Sequence, residues 1–304
     1  MSARTRRLAP DAGARHSTPP PTQGPPWDLP IGEVPFAFVD LEMTGLDVTR
    51  DRVIEICVER TVGGLLVDRV ETLVSPHAPG EVVTTVGNEH VHGIDAAALA
   101  GAPPFTTVAD DVLRVLHGAV LVAHAAAWDV GFLNMELERA GRERAVTHYL
   151  DTLILARRAF AFPSYSLDSL CKELDIGRGR AHRAGADVLA LRAVFERTVK
   201  ALAPASARDL WEVRIAERRA RAAIVEACAA ALEKGAPVSL TYRPSKKQPV
   251  AMTMVLTELR ADLDPPRVIG YQLPGRGRRD LRSDRILRVD PAGHDDDAER
   301  DPSP

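Results

Sequence analysis

Phe36-Ala37-Phe38-Val39-Asp40-Leu41-Glu42-Met43-Thr44-Gly45 decides how the rest of this 304-residue chain reads. It is a short apolar strand that carries two carboxylates into its C-terminal end. Side chains alternate faces along a strand, so Asp40 and Glu42 point to the same side. Held that close they repel, and one pKa rises unless a cation lies between them. Hard oxygen donors suit magnesium or manganese, which bind through a few carboxylates and keep positions for water and phosphate oxygens. Two solvated acids at a strand end is the alternative reading of the stretch taken alone. Thr44-Gly45 ends the strand, and glycine lets backbone approach a ligand closely.

Residues 51–61 alternate apolar and polar side chains, Gly63-Gly64 makes a turn, and residues 65–74 continue as a strand, so a three-strand meander is predicted. A short helical stretch is expected from Asp95. Residues 106–116 have helical spacing, and 119–123 form an apolar run that reads as a buried strand. That strand ends at His124 and leads into a helical pattern over 130–140, with Gly141 as a natural C-cap. Asp129 therefore falls at a helix start, where capping is its simplest role. Helices are predicted over 149–158 and 166–174. His182 and Asp187 then open an apolar helix through Val188, Leu191, Val194 and Phe195. This alternation of strands and helices predicts an α/β domain over residues 31–200.

Open α/β sheets bind ligands at the carboxyl ends of their strands, where Asp40, Glu42 and Asp129 would gather. With Asp187 they make four carboxylates, enough for two divalent ions that clamp the attacking and leaving oxygens of a phosphodiester displacement. A base must take the proton of the attacking water; histidine is the side chain whose unperturbed pKa lies near neutral, and His182 fits that role.

Net charge of −3 argues against a protein that holds nucleic acid mainly by bulk electrostatics, so contacts of that kind must be local. Cys57, Cys171 and Cys228 lie far apart, which suggests neither a disulfide framework nor a zinc site and points to a reducing, cytoplasmic setting. No apolar run approaches the length of a membrane span. Residues 1–30 are proline-rich and are expected to form a disordered tail, as are residues 293–304.

Asp40-x-Glu42 with Thr44-Gly45, then His124-x4-Asp129, then His182-x4-Asp187 resemble, in order, the three motifs of the DEDDh exonucleases. That superfamily includes the proofreading epsilon subunit of bacterial DNA polymerase III, ribonuclease T and oligoribonuclease. The likeness extends to His92-Gly93-Ile94, Asp151-Thr152-Leu153 and Tyr165-Ser166-Leu167. It implies a ribonuclease H-like mixed sheet flanked by helices and 3' to 5' removal of nucleotides from single-stranded DNA or RNA. Asp40, Glu42, Asp129 and Asp187 would hold two Mg2+ or Mn2+ ions, with His182 as base. Met43, Thr44, Gly45 and Leu46 would line the terminal nucleotide, joined by His92, Trp128 and Phe132. The partners implied are 3' ends, with a DNA polymerase as a further candidate. An oligoribonuclease-like enzyme for short RNA, or a nucleic-acid sensor using the fold as scaffold, are the alternatives. One departure stands out: the family's second motif usually reads His-Asn-Ala, and here it is His124-Ala125-Ala126.

After a linker and helical connector over 201–222, residues 223–292 read as a helix and four short strands, 238–243, 250–259, 267–273 and 286–289. Arginines of the connector, Arg214 and Arg221 among them, are expected on a solvated face. Through Ala223 to Tyr242, Ile269-Gly270-Tyr271 and Leu281-Arg282-Ser283-Asp284-Arg285-Ile286 the segment resembles, more weakly, a WYL domain, with Pro266-Arg267-Val268 in place of the name-giving Trp-Tyr-Leu; the resemblance implies a small Sm-like barrel. Arg276, Arg278, Arg279, Arg282 and Arg285 cluster near its end, and arginine forks suit phosphate.

Overall fold

The computed structural model describes residues 19–76, 86–179, 181–244, 248–263 and 265–292. Two compact units divide the chain, with the boundary between residues 217 and 218.

In the first unit β1 (Phe36–Met43), β2 (Val53–Val62) and β3 (Leu65–Leu73) form the expected antiparallel meander. They are followed by α1 (Glu89–His92), α2 (Phe105–Leu116), β4 (Val120–Ala123), α3 (Ala127–Arg139) and β5 (Tyr149–Asp151). Then come α4 (Thr152–Ala159), α5 (Leu167–Glu173), α6 (Ala184–Leu202) and α7 (Ala207–Lys234), of which residues 218–234 belong to the second unit. The sheet order is β3-β2-β1-β4-β5, with β4 parallel to both β1 and β5. The strongest strand signal thus lies at the centre of a mixed sheet flanked by helices.

Strand alternation divides the core into two layers. Ala37, Val39 and Leu41 face one way and pack with Phe105, Val112, Phe132 and Leu133 from α2 and α3. Phe36 and Phe38 face the other way and pack with Val188, Leu191 and Phe195 of α6. Phe195 stands edge-on to both phenylalanine rings, with centroids 4.9 and 5.5 Å away.

Three expectations need correction. Residues 149–151 form strand β5, buried throughout, and the helix begins only after Asp151, whose side chain accepts the Leu153 N–H. Tyr149-Leu150 carries too few residues for a period to separate strand from helix. Residues 19–30 are not a tail: Trp27 is buried against Trp211 and His148, and Arg208 pairs with Asp28. A single aromatic anchor overrides a proline-rich composition there. Arg214, expected in solvent, is buried between the rings of Tyr149 and Trp211, its guanidinium carbon 4.1 and 4.8 Å from their centroids. Residues 1–18 and 293–304, also expected to be tails, lie outside the described residues.

In the second unit β6 (Val238–Tyr242), β7 (Val250–Arg260), β8 (Arg267–Leu273), β9 (Gly277–Arg282) and β10 (Ile286–Pro291) form an antiparallel sheet of order β10-β6-β7-β8-β9. Its core comprises Val238, Leu240, Met254, Leu256, Val268, Leu281 and Ile286, with Cys228. The sequence reading missed β9, whose Gly277-Arg278-Arg279-Asp280 is polar because that part of the strand is exposed. Among the described residues no helix is long and apolar enough to cross a membrane.

Candidate active site

The alternation that buries Phe36 and Phe38 under α6 continues along β1 to Asp40 and Glu42 on the same face. The first turn of α6 contributes Asp187, which is buried. Two elements that pack through phenylalanines therefore meet through acids at the adjoining end.

Asp129 arrives from the other side. β4 pairs with β1 only from Phe36 to Phe38, so the edge of β1 beyond that point lacks a strand partner there. Asp129, in the first turn of the helix that follows β4, accepts the Leu41 N–H through Oδ1 at 3.2 Å. Its carboxylate thus lies against the backbone between Asp40 and Glu42.

The electrostatics record how crowded these acids are. Burial first, then the charges of Asp129, Asp187, Glu42 and Glu55, hold the Asp40 carboxyl well above the usual carboxylate range. Burial, aided by Asp187 and Glu55, pushes Glu42 up to about 7. Burial pushes Asp129 to about 8, against the lowering effect of its backbone hydrogen bonds.

His182 and Asp187 close the group. One ligand atom each from Glu42, His182 and Asp187 lie within 4.8 Å of one another. His182 donates its backbone N–H to Asp187 Oδ2 at 3.3 Å, and its ring is exposed. Its φ of 60° is a left-handed conformation that histidine adopts at a cost. Arg178, unremarked in the sequence, donates from Nη2 to Asp187 Oδ1 at 2.6 Å and ion-pairs with Asp168. Crowded, buried carboxylates with raised pKa values and hard oxygen donors fit a divalent cation, which Asp40, Glu42, Asp129 and Asp187 would hold.

Glu55 was also missed. It faces Glu42 across the β1–β2 ladder and is 2% exposed. Its carboxylate accepts from Arg183 Nε at 3.0 and 3.2 Å, from Arg183 Nη2 at 2.7 Å and from the Ala184 N–H at 2.9 Å. A glutamate in an alternating strand looks like a solvent-facing residue; its pairing with an arginine far along the chain gives no local signal.

The expected substrate contacts divide. Met43, Thr44, Gly45 and Leu46 follow Glu42 directly, with Leu46 53% exposed. Gly45, however, is shaped by its own loop: a Cβ there would come within 2.3 Å of Asp51 Oδ2, which itself accepts the Asp47 N–H. His92 is corrected. It is buried, its Nδ1 accepts the Ile94 N–H at 3.0 Å, and its Nε2 lies 2.9 Å from the Gly87 carbonyl, leaving neither nitrogen for a substrate. Phe132 is corrected likewise, because it is fully buried in the core between sheet and helices. Trp128 is half-buried at the edge of that core.

His124 is tied by Nδ1 to Thr152 Oγ1 at 2.9 Å, and burial lowers its pKa. Ala125 has φ 56° and donates its N–H to Asp151 Oδ1. Asparagine is several-fold enriched in that conformation, which gives the usual His-Asn-Ala wording a backbone reason.

In the second unit Arg276, Arg278 and Arg279 are exposed. Arg279 donates to Gln272, and Arg282 is bidentate on Asp284 at 3.0 and 2.9 Å. Arg285 is half-buried. Tyr271, 44% exposed, is the cross-strand neighbour of Arg278.

The RNase_T exonuclease family model matches residues 37–195, just over half of the chain. The PolC-type DNA polymerase III of Bacillus cereus is 34% identical over 157 residues, which is 51% of this chain and 10% of that protein. The 3'-5' exonuclease DinG of Bacillus subtilis is 30% identical over 162 residues, 53% of this chain and 17% of that one. The chain thus spans a small fraction of the length of these curated relatives. Among solved structures, the zinc-bound complex of E. coli exonuclease I with single-stranded DNA superposes with a TM-score of 0.51 at 17% identity, covering 79% of this chain and 55% of that one.

Proposed function

We propose, on the premise that this chain belongs to the RNase_T exonuclease family, that it removes nucleotides from single-stranded DNA 3' ends by metal-dependent hydrolysis. The observation that carries the reading is the convergence of Asp40, Glu42, Asp129 and Asp187, from three separate elements, beside the exposed ring of His182.

Two Mg2+ or Mn2+ ions held by the four acids would supply a lowered water pKa and charge stabilisation at the departing 3' oxygen. The chain's own work is positional. His182, on a segment ordered by its hydrogen bond to Asp187, takes the proton as the water oxygen bonds to phosphorus and the P–O3' bond breaks. The loop from Met43 to Leu46 receives the terminal nucleotide, with the exposed Leu46 as an apolar contact for base or sugar.

DNA is favoured over short RNA because the PolC-type relative, 34% identical over 157 residues, is a DNA polymerase III. The PolC-type likeness also supports a polymerase as partner, and the cysteine pattern supports a cytoplasmic setting. For the second unit we infer an Sm-like barrel of the WYL kind over residues 223–292, because a helix followed by strand order five-one-two-three-four is the arrangement such a barrel needs. Exposed Tyr271 beside Arg278 supports single-stranded nucleic acid as its ligand, through stacking and phosphate contact.

The test is a panel of 5'-labelled single-stranded DNA, single-stranded RNA and dinucleotides with Mg2+ or Mn2+. Stepwise shortening of DNA from the 3' end is expected, abolished by Asp40→Ala. His182→Ala should cut kcat by about 10²- to 10⁴-fold with Mn2+ binding largely kept. Hydrolysis confined to dinucleotide RNA would favour the oligoribonuclease-like alternative, and no hydrolysis with any substrate would sink the enzyme reading.

A further inference from the structure

Two glutamates on β2, Glu55 and Glu59, face α6 from the same side of the strand and are both buried. Each is engaged by an arginine of the α6 segment, Glu55 by Arg183 at 2.7 Å and Glu59 by Arg192 at 3.1 Å, and Glu59 also pairs with Arg69 of β3 at 3.3 Å. Their places differ. Glu59 lies opposite Phe38 in the β1 ladder, under the apolar body of the helix, whereas Glu55 lies opposite Glu42 at the acid pocket.

Glu55 also does what no residue of the helix itself does. The N-cap position of α6 is Arg183, whose side chain makes no cap hydrogen bond, and the Ala184 N–H is accepted by Glu55 Oε2 at 2.9 Å. A helix start needs acceptors for its first N–H groups, and a negative charge there also meets the positive end of the helix dipole. Here the acceptor comes from β2. The residue immediately before this joint is His182, with φ 60°. Such a conformation persists only where its surroundings over-determine it, and the fixed Arg183-Ala184 pair on one side and the Asp187 carboxylate on the other do so.

We propose that Glu55 is a positioning residue: by fixing the Arg183-Ala184 start of α6 to β2, it sets where His182 and Asp187 meet Asp40 and Glu42. The role rests on the exonuclease reading above, and Glu59 supplies the control, since its loss breaks a comparable buried ion pair to the same helix away from the acids.

The experiment compares the full chain as wild type, Glu55→Gln and Glu59→Gln, measuring Mn2+ affinity by titration calorimetry without nucleic acid, kcat and KM on a 3'-labelled oligonucleotide, and Tm. Glu55→Gln should weaken Mn2+ binding and lower kcat by about 10- to 100-fold, the range seen when partners that orient metal ligands are removed, with KM little changed. Glu59→Gln should lower Tm while keeping Mn2+ affinity and kcat. Equal losses in both variants, or none in Glu55→Gln, overturn the proposal. Where Glu55→Gln does not fold, Arg183→Gln decides: a weaker form of the same loss supports the role, and unchanged Mn2+ affinity and kcat reject it. A wild type that binds Mn2+ but cuts nothing defeats the exonuclease reading while the Mn2+ ratios still decide Glu55; a wild type that does neither overturns both.

Discussion

Arg178 donates to Asp187 at 2.6 Å, so the acid that α6 brings to the pocket already has a cation of the chain's own. The same guanidinium ion-pairs with Asp168 at the start of α5, which anchors it beside the acids. An incoming divalent ion meets that positive charge. Replacing Arg178 by glutamine removes a repulsion of about 1 kcal/mol or more at a few Å, so Arg178→Gln should tighten Mn2+ binding by about fivefold or more, read by calorimetry.

Stability should fall as pH rises while no metal is bound. Glu42 moves from an ordinary 4.5 to about 7 in the folded chain, and Asp129 from 3.8 to about 8. Between the unfolded and folded values the unfolded chain has released these protons and the folded chain still holds them. Through these two groups stability therefore declines from about pH 4 to about pH 8, with Glu42 alone worth roughly 3 kcal/mol. Thermal melts in a chelator across that range should show the decline. Excess Mg2+ should flatten it, and its binding near pH 6.5 should release protons.

Ala125 sits at φ 56°, where a methyl side chain costs about 1–2 kcal/mol. Ala125→Asn restores a side chain that tolerates this conformation and should stabilise the first unit by about 1 kcal/mol in urea denaturation. A destabilised variant would show that the space around Ala125, rather than its backbone, selects the small residue.

His92→Ala should behave as a folding lesion. The ring joins the Gly87 carbonyl to the Ile94 N–H inside the structure, and Gly87 packs so closely on Thr44 that a Cβ would lie 1.9 Å from the Thr44 carbonyl oxygen. Loss of two buried hydrogen bonds predicts a destabilisation of about 2–3 kcal/mol, measured as a lower Tm, with kcat retained at temperatures where the variant is folded. A large rise in KM with unchanged Tm would return His92 to the substrate.

What was legible in the sequence is what alternation and motif order can encode. Phe36 to Glu42 announce a strand with acids on one face, and the three motifs place their acids at element ends, so the family and the meander could be read directly. Pairings between distant segments could not. Glu55 with Arg183, Arg178 with Asp187 and Arg214 between Tyr149 and Trp211 are each an ordinary charged residue until the fold supplies the partner. His92 and Phe132 failed for the converse reason: a family motif marks a residue as needed but does not say whether it faces the ligand or the interior.

The bond from the Leu41 amide to Asp129 ties the chemistry of this protein to its assembly. A carboxylate that completes a raw strand edge cannot be withdrawn without exposing that edge, so the rim of the sheet and the acid pocket share one hydrogen bond. A variant meant to remove the proposed cleavage while keeping the scaffold is therefore better made at His182, whose side chain is exposed, than at Asp129, whose carboxylate the strand edge uses.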